Sequence, residues 1–173
     1  EKRFKHSIRG LEEKFDGSPD KVHAFRMQIK DKASSLFWNS ITNLWVDGVQ
    51  INIIDTPGKV TINDLQEHGQ HIFIDADQAV DANYQTALRH TAMGHFLLNS
   101  ITPELRTRLD ASQNKWYFPP PLDSVDGVML FKLIVECGSI GSKAGVRALR
   151  EKLTSLKARD FGHDVEQLND AFH

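Results

Sequence analysis

Apolar residues recur at helical spacing along most of this chain and at strand spacing in one place. Val22, Phe25, Ile29, Ala33, Leu36 and Phe37 fall on one stripe, so the spacing predicts a helix that Ser18 caps and Pro19 begins. The stripe continues through Ile41, Leu44 and Trp45, as one long helix or two in tandem. Asp47-Gly48 then reads as a turn. Val49, Ile51 and Ile53 alternate with Gln50 and Asn52 until Asp55-Thr56-Pro57-Gly58 ends the run. That is strand periodicity, but a lone strand needs a partner and no second convincing one is present. Residues 49–54 therefore read equally well as an extended excursion between helices.

Thr61 and Asp64 carry the pattern of a capping box, with Val60 and Leu65 placed to staple it. The helix it opens, 62–74, would bury Ile62, Leu65, Ile72 and Phe73, although Gly69 weakens it by roughly 1 kcal/mol relative to alanine. A helix over about 82–100 places Tyr84, Leu88, Ala92, His95 and Phe96 near one face. Thr102-Pro103 starts a shorter one with Leu105 and Leu109 inward, and 111–124 is the clearest loop. An apolar helix from Val128 to Cys137 meets a Gly/Ser break, Gly138 to Ser142. Beyond it Val146, Leu149, Leu153 and Leu156 share a face, Ser142 is placed as N-cap, and Val165, Leu168 and Phe172 follow after Gly162.

Composition narrows the classes. With 173 residues, 40% hydrophobic and 25% charged, the chain is globular and long enough to bury a core. A net charge of −2 argues against a surface that is polycationic throughout. The single cysteine, Cys137, cannot form an intrachain disulfide, which fits a reducing, cytoplasmic setting. No apolar run reaches the ~18 residues of a membrane span. The chain begins at Glu1 and stops inside a predicted helix, which reads as a piece of a longer protein.

Five groups of residues invite a chemical reading. Ile53-Ile54-Asp55-Thr56-Pro57-Gly58 looks like the magnesium-sensing segment of GTPases, but no phosphate-cradling glycine loop precedes it, so it reads as a turn. Glu67, His68 and His71, with His90 and His95 on the next helix, lack the ligand spacing of a zinc site. Asp75, Asp77 and Asp81 do not make a calcium loop and suit a helix N-terminus. Lys143, Arg147, Arg150 and Lys157 line one helix face, either a phosphate-binding ridge for RNA or another polyanion, or an ordinary solvated face. The loop Trp116-Tyr117-Phe118-Pro119-Pro120-Pro121 reads as a polyproline-II docking element or as a stiff linker with an aromatic plug. No nucleophile elbow or paired carboxylates point to catalysis.

One family pattern runs through the last third of the chain. Asp126-Gly127 precedes an apolar helix, and Leu149, Leu153 and Leu156-Lys157 follow. Gly162, Asp164-Val165, Leu168-Asn169 and Phe172 then close the pattern. Upstream, Lys14-Phe15-Asp16-Gly17 and Leu97-Leu98-Asn99-Ser100-Ile101-Thr102 each precede a helix. The set resembles the gag polyprotein of copia-like LTR retrotransposons, over residues 11–45 and 82–173. The chain has no C-x2-C-x4-H-x4-C knuckle, and its Leu149–Lys157 region lacks the Gln and Arg that mark the major homology region of retroviral capsids.

The resemblance implies an all-α capsid-like bundle with no enzymatic activity and no cofactor. A flexible tail (1–14) would precede an N-terminal lobe (15–138), a hinge (139–142) and the start of a C-terminal lobe (143–173). It also implies self-association into a cytoplasmic shell around element RNA, with no membrane or small-molecule substrate. The residues assigned to RNA are Lys143, Arg147, Arg150 and Lys157; those assigned to packing or assembly are Val146, Leu149, Leu153, Leu156, Leu168 and Phe172. The alternative is a helical adaptor that binds a protein partner without catalysis.

Overall fold

The interior is organised around a helix, α7 (127–139), whose residues from Val128 through Val135 are all buried. A helix that is apolar on every side belongs in the middle of a bundle. Its one interior charge, Lys132, leads its ammonium out to the Pro57 carbonyl at 2.7 Å and to Glu136 at 3.1 Å. The computed structural model describes residues 9–73, 82–120 and 122–139. Lys143, Arg147, Arg150 and Lys157 lie outside the described residues, as do Val146, Leu149, Leu153, Leu156, Leu168 and Phe172. So do the acidic group Asp75, Asp77 and Asp81 and, apart from Ser139, the expected hinge.

Around α7 the described residues form a mostly helical bundle with two small two-stranded antiparallel sheets. A 3-10 turn, Pro19–Lys21, leads into α1 (Val22–Ser35), which buries Phe25, Ile29 and Ala33 as the stripe predicts. Ser18 makes no side-chain cap; Asp16 turns the chain instead, accepting the Ser18 N–H at 2.9 Å. Phe15 stacks on Phe25 at 4.5 Å, and its backbone bridges the segment at Ile101 in parallel. Just upstream, the Leu11 N–H donates to the Ser100 hydroxyl at 2.9 Å.

The stretch after α1 corrects the sequence reading. Phe37 takes a positive φ of 60° and ends the stripe, and a single turn, α2 (Asn39–Thr42), follows. Residues 43–46 are not helix. They form β1 (Asn43–Val46), which pairs antiparallel with β2 (Val49–Asn52) across the Asp47-Gly48 turn, Leu44 opposite Ile51 and Trp45 opposite Gln50. The strand at Val49 thus has its partner in residues read as helical. Alternation turns Leu44 inward (4% exposed) and Trp45 outward (72% exposed).

The capping box forms as predicted. Asp64 Oδ2 accepts from Thr61 N at 2.8 Å while Thr61 Oγ1 accepts from Asp64 N at 3.1 Å, and α3 (Ile62–Phe73) follows, burying Leu65, Ile72 and Phe73. Helix α4 (Ala82–Ser100) buries Phe96 as predicted but otherwise faces the core with a different stripe. His90, Met93, Phe96, Leu97 and Ser100 are buried, whereas Tyr84, Leu88 and His95 are exposed. Helix α5 (Pro103–Asp110), capped by Thr102, buries Leu105 and Leu109. A turn, α6 (Gln113–Trp116), plugs the Trp116 indole into the core. Strands β3 (Tyr117–Phe118) and β4 (Ser124–Val125) then close a hairpin before α7.

Candidate functional site

One polar centre is buried where α3, α4 and α7 meet. Asp126, the residue before α7, caps that helix: its Oδ1 accepts the N–H groups of Val128 and Met129 at 3.1 and 3.0 Å. The same oxygen stands 2.9 Å from His90 Nδ1 on α4. Both side chains are almost wholly enclosed, at 0% and 3% exposure. A helix N-terminus favours the ionised carboxylate, and an ionised carboxylate only accepts, so the Nδ1 proton of His90 points at Asp126. Its Nε2 is the buried side-chain polar atom without a hydrogen-bond partner among the described residues.

Small residues let the three helices approach. Gly69 of α3 is buried, and a Cβ there would come within 2.9 Å of Asp126 Oδ2. The Gly69 that costs α3 intrinsic helicity therefore makes room for the carboxylate. His68 beside it brings its ring to 6.1 Å from that of His90. Phe73 meets His90 edge-on at 5.7 Å and stacks on Phe118 of β3 at 4.5 Å, closing the centre with aromatic carbon. Burial pushes the His68 pKa down, with the neighbouring His90 and His71 adding to the effect and Asp126 opposing it.

The pair His90–Asp126 has the hydrogen-bond order of a general base and its orienting acid. With His90 fully enclosed, Nε2 has no opening to a solvent-borne substrate, so the pair acts as a tie between helices. Of the sequence candidates, His68 and His90 come together, while the His71 and His95 side chains are exposed. Among the described residues no group of three or more His, Cys, Asp or Glu side chains could hold a metal ion.

The Asp55-Thr56-Pro57-Gly58 segment is a turn held by side chains from the bundle. Arg26 donates to the carbonyls of Ile54 and Asp55, Lys30 pairs with the Asp55 carboxylate at 2.6 Å, and Lys132 holds Pro57. Asn52 turns the chain into it by accepting the Ile54 N–H at 3.0 Å. The chain turns after Pro119 as well. Pro119 accepts from Leu122 N at 3.2 Å, a turn bond that an extended polyproline helix would lack. Tyr117 steadies the same hairpin by donating to Asp123 at 2.6 Å, and that bond raises the phenol pKa.

Several large apolar side chains face solvent: Phe37, Trp45, Val49, Tyr84, Leu88 and Leu122. Arg89 donates to the Ser40 hydroxyl at 2.9 Å, which brings the corner after Phe37 against α4 beside Leu88, with Tyr84 one turn earlier. Among the described residues no helix is long and apolar enough to cross a membrane. Comparison of the chain with protein-family models, curated proteins and solved structures gives no match.

The sequence reading missed the His90–Asp126 tie. Its one local signal was Asp126-Gly127 at the start of an apolar run, an N-cap pattern in which the carboxylate is bound to be near the helix end. Nothing local could identify the partner, which lies 36 residues away.

Proposed function

We propose that this chain is a gag-like structural protein that self-associates, in the manner of a capsid, around retroelement RNA. The observation that carries the reading is Phe37. A bulky residue at positive φ is a backbone outlier, and this one is also 67% exposed. The ring therefore contributes little to the stability of its own chain while the backbone bears a cost, a combination expected at contact sites. Trp45 on the outer face of the hairpin, with Tyr84 and Leu88 on α4, adds apolar surface to the same reading. The gag-like pattern of Asp126-Gly127 and the segments beyond it supplies the kind of partner: another copy.

The remaining parts of the proposal are the cation ridge Lys143, Arg147, Arg150 and Lys157 as RNA contact, and 143–173 as the opening of a second lobe. Light scattering across a concentration series, with electron microscopy and assay of bound RNA, tests the whole reading. Concentration-dependent oligomers or particles that retain RNA are expected. A strict monomer that takes up a peptide ligand would replace this reading with the adaptor.

A further inference from the structure

We propose that His68, set against the His90–Asp126 pair, is an acid-sensitive latch that holds α3 on the bundle at neutral pH and loosens it as His68 gains a proton. The geometry shows why the arrangement tolerates few protons. Two rings stand 6.1 Å apart across the α3–α4 contact, and among the described residues Asp126, bonded to His90, is the carboxylate that favours a charge on His68. Its Oδ1 is already shared among the His90 ring and the N–H groups of Val128 and Met129. A proton on His90 Nε2 would point at no acceptor among the described residues. A proton on His68 would place a cation beside the enclosed His90 ring. Asp126 is already committed to His90 and to the head of α7, so a cation on the half-buried His68 is poorly balanced, and such a charge is relieved by opening the structure.

Each element around the centre bears on this balance. Helix α3 brings His71, which works against a charge on His68, as does His90 from α4; among the described residues Asp126 at the head of α7 favours it. Glu67, next to His68, is exposed, and Arg89, next to His90, is turned to Ser40. Lys132 of α7 is engaged with Pro57 and Glu136, and β3 contributes only the Phe118 ring. The sign follows. The His68 pKa is lower folded than unfolded, so the unfolded chain takes the proton first. The stabilisation is complete above the ordinary histidine value of about 6.5 and is lost as pH falls below it. The cover is thin where α3 meets the carboxylate, because Gly69 is the α3 residue set against Asp126 Oδ2 and it has no side chain.

The latch requires no partner, so it stands or falls separately from self-association. Hydrogen exchange on the full chain, corrected for intrinsic rates, compares the amides of 62–73 with those of 22–35 between about pH 7.5 and about pH 5. Protection of α3 should fall by roughly tenfold or more relative to α1, and His68→Leu should abolish most of that difference. If that variant does not fold, His68→Gln, which also cannot take a proton, replaces it. Constant relative protection in the parent chain overturns the latch, as does an equal acid loss in the His68 variant. An NMR titration of the His68 ring gives a second reading: a midpoint at or above the ordinary histidine value also overturns it.

Discussion

Gly127, at the start of α7, lies against Gly94 of α4. A Cβ on Gly127 would stand 2.7 Å from Gly94 N, 2.5 Å from His90 O and 2.8 Å from Met93 Cβ, all closer than carbon can come. A Cβ on Gly94 would in turn collide with the Val125 side chain. The two glycines set the distance between these helices, and that distance sets the reach of Asp126 to His90.

Gly127→Ala should therefore destabilise the fold by roughly 1–3 kcal/mol or more, as overpacking does where the neighbours are backbone atoms. Gly58→Ala is the control, since a Cβ there meets nothing within 4 Å. Chemical denaturation should show a large loss for the first and at most a small change for the second.

Much of the bundle was legible because its signals are local. Phe25, Ile29 and Ala33 repeat at helical spacing, and Thr61 reaches only as far as Asp64. The errors came where local signals coincide or fall silent. Ile41, Leu44 and Trp45 keep a helical interval, yet Leu44 and Trp45 sit on opposite faces of a strand, and only the pairing with 49–52 distinguishes the two. In α4 the inward face carries His90, Gly94 and Ser100, which do not register as apolar, so Tyr84 and Leu88 drew the stripe to the wrong side. A buried polar centre is written in such residues, and its partners are distant in sequence.

Asp126→Ala should cost about 2–4 kcal/mol, combining the loss of an N-cap with a buried imidazole N–H left without its acceptor. Asp126→Asn should recover part of the loss, because its carbonyl can still cap α7. Equal melting of the Ala and Asn variants would mean that the cap contributes nothing.

Asp16 should titrate far below an ordinary carboxyl. The Ser18 side chain and backbone, followed by Lys21, hold its pKa down at about 2. A depressed carboxyl contributes stability above its unfolded value of about 3.9, and that contribution disappears as pH falls toward the folded value. Being exposed, it contributes modestly. An NMR titration of Asp16 in the parent and in Ser18→Ala checks it: the midpoint should rise when the hydroxyl is removed.

Removing the α3 cap should open that helix before the rest of the bundle. Thr61→Ala is expected to cost about 1 kcal/mol, with faster amide exchange at the start of α3 than in α1. Uniform loss of protection in both helices would show that α3 does not open on its own.

Phe37 separates stability from assembly most cleanly. Its backbone sits at φ 60°, a region open to glycine, while its ring is mostly in solvent. Phe37→Gly should therefore leave the fold as stable as before or stabilise it by up to about 1 kcal/mol, since relief of the strained backbone offsets the added freedom of the unfolded chain. A surface that serves only solubility would give no other effect. If the ring contacts a second copy, the same change should weaken self-association at least about tenfold, the loss expected when an aromatic anchor is truncated. Trp45→Thr, which keeps a strand-forming residue opposite Gln50, should act in the same direction with stability altered by no more than about 0.5 kcal/mol. Sedimentation velocity over a concentration series, read beside thermal melts, distinguishes the outcomes. Loss of association with melting preserved in both variants assigns the exposed aromatics to contact between copies. Association unchanged in both would remove Phe37 and Trp45 from the interface, and with them the observation on which the capsid-like reading rests.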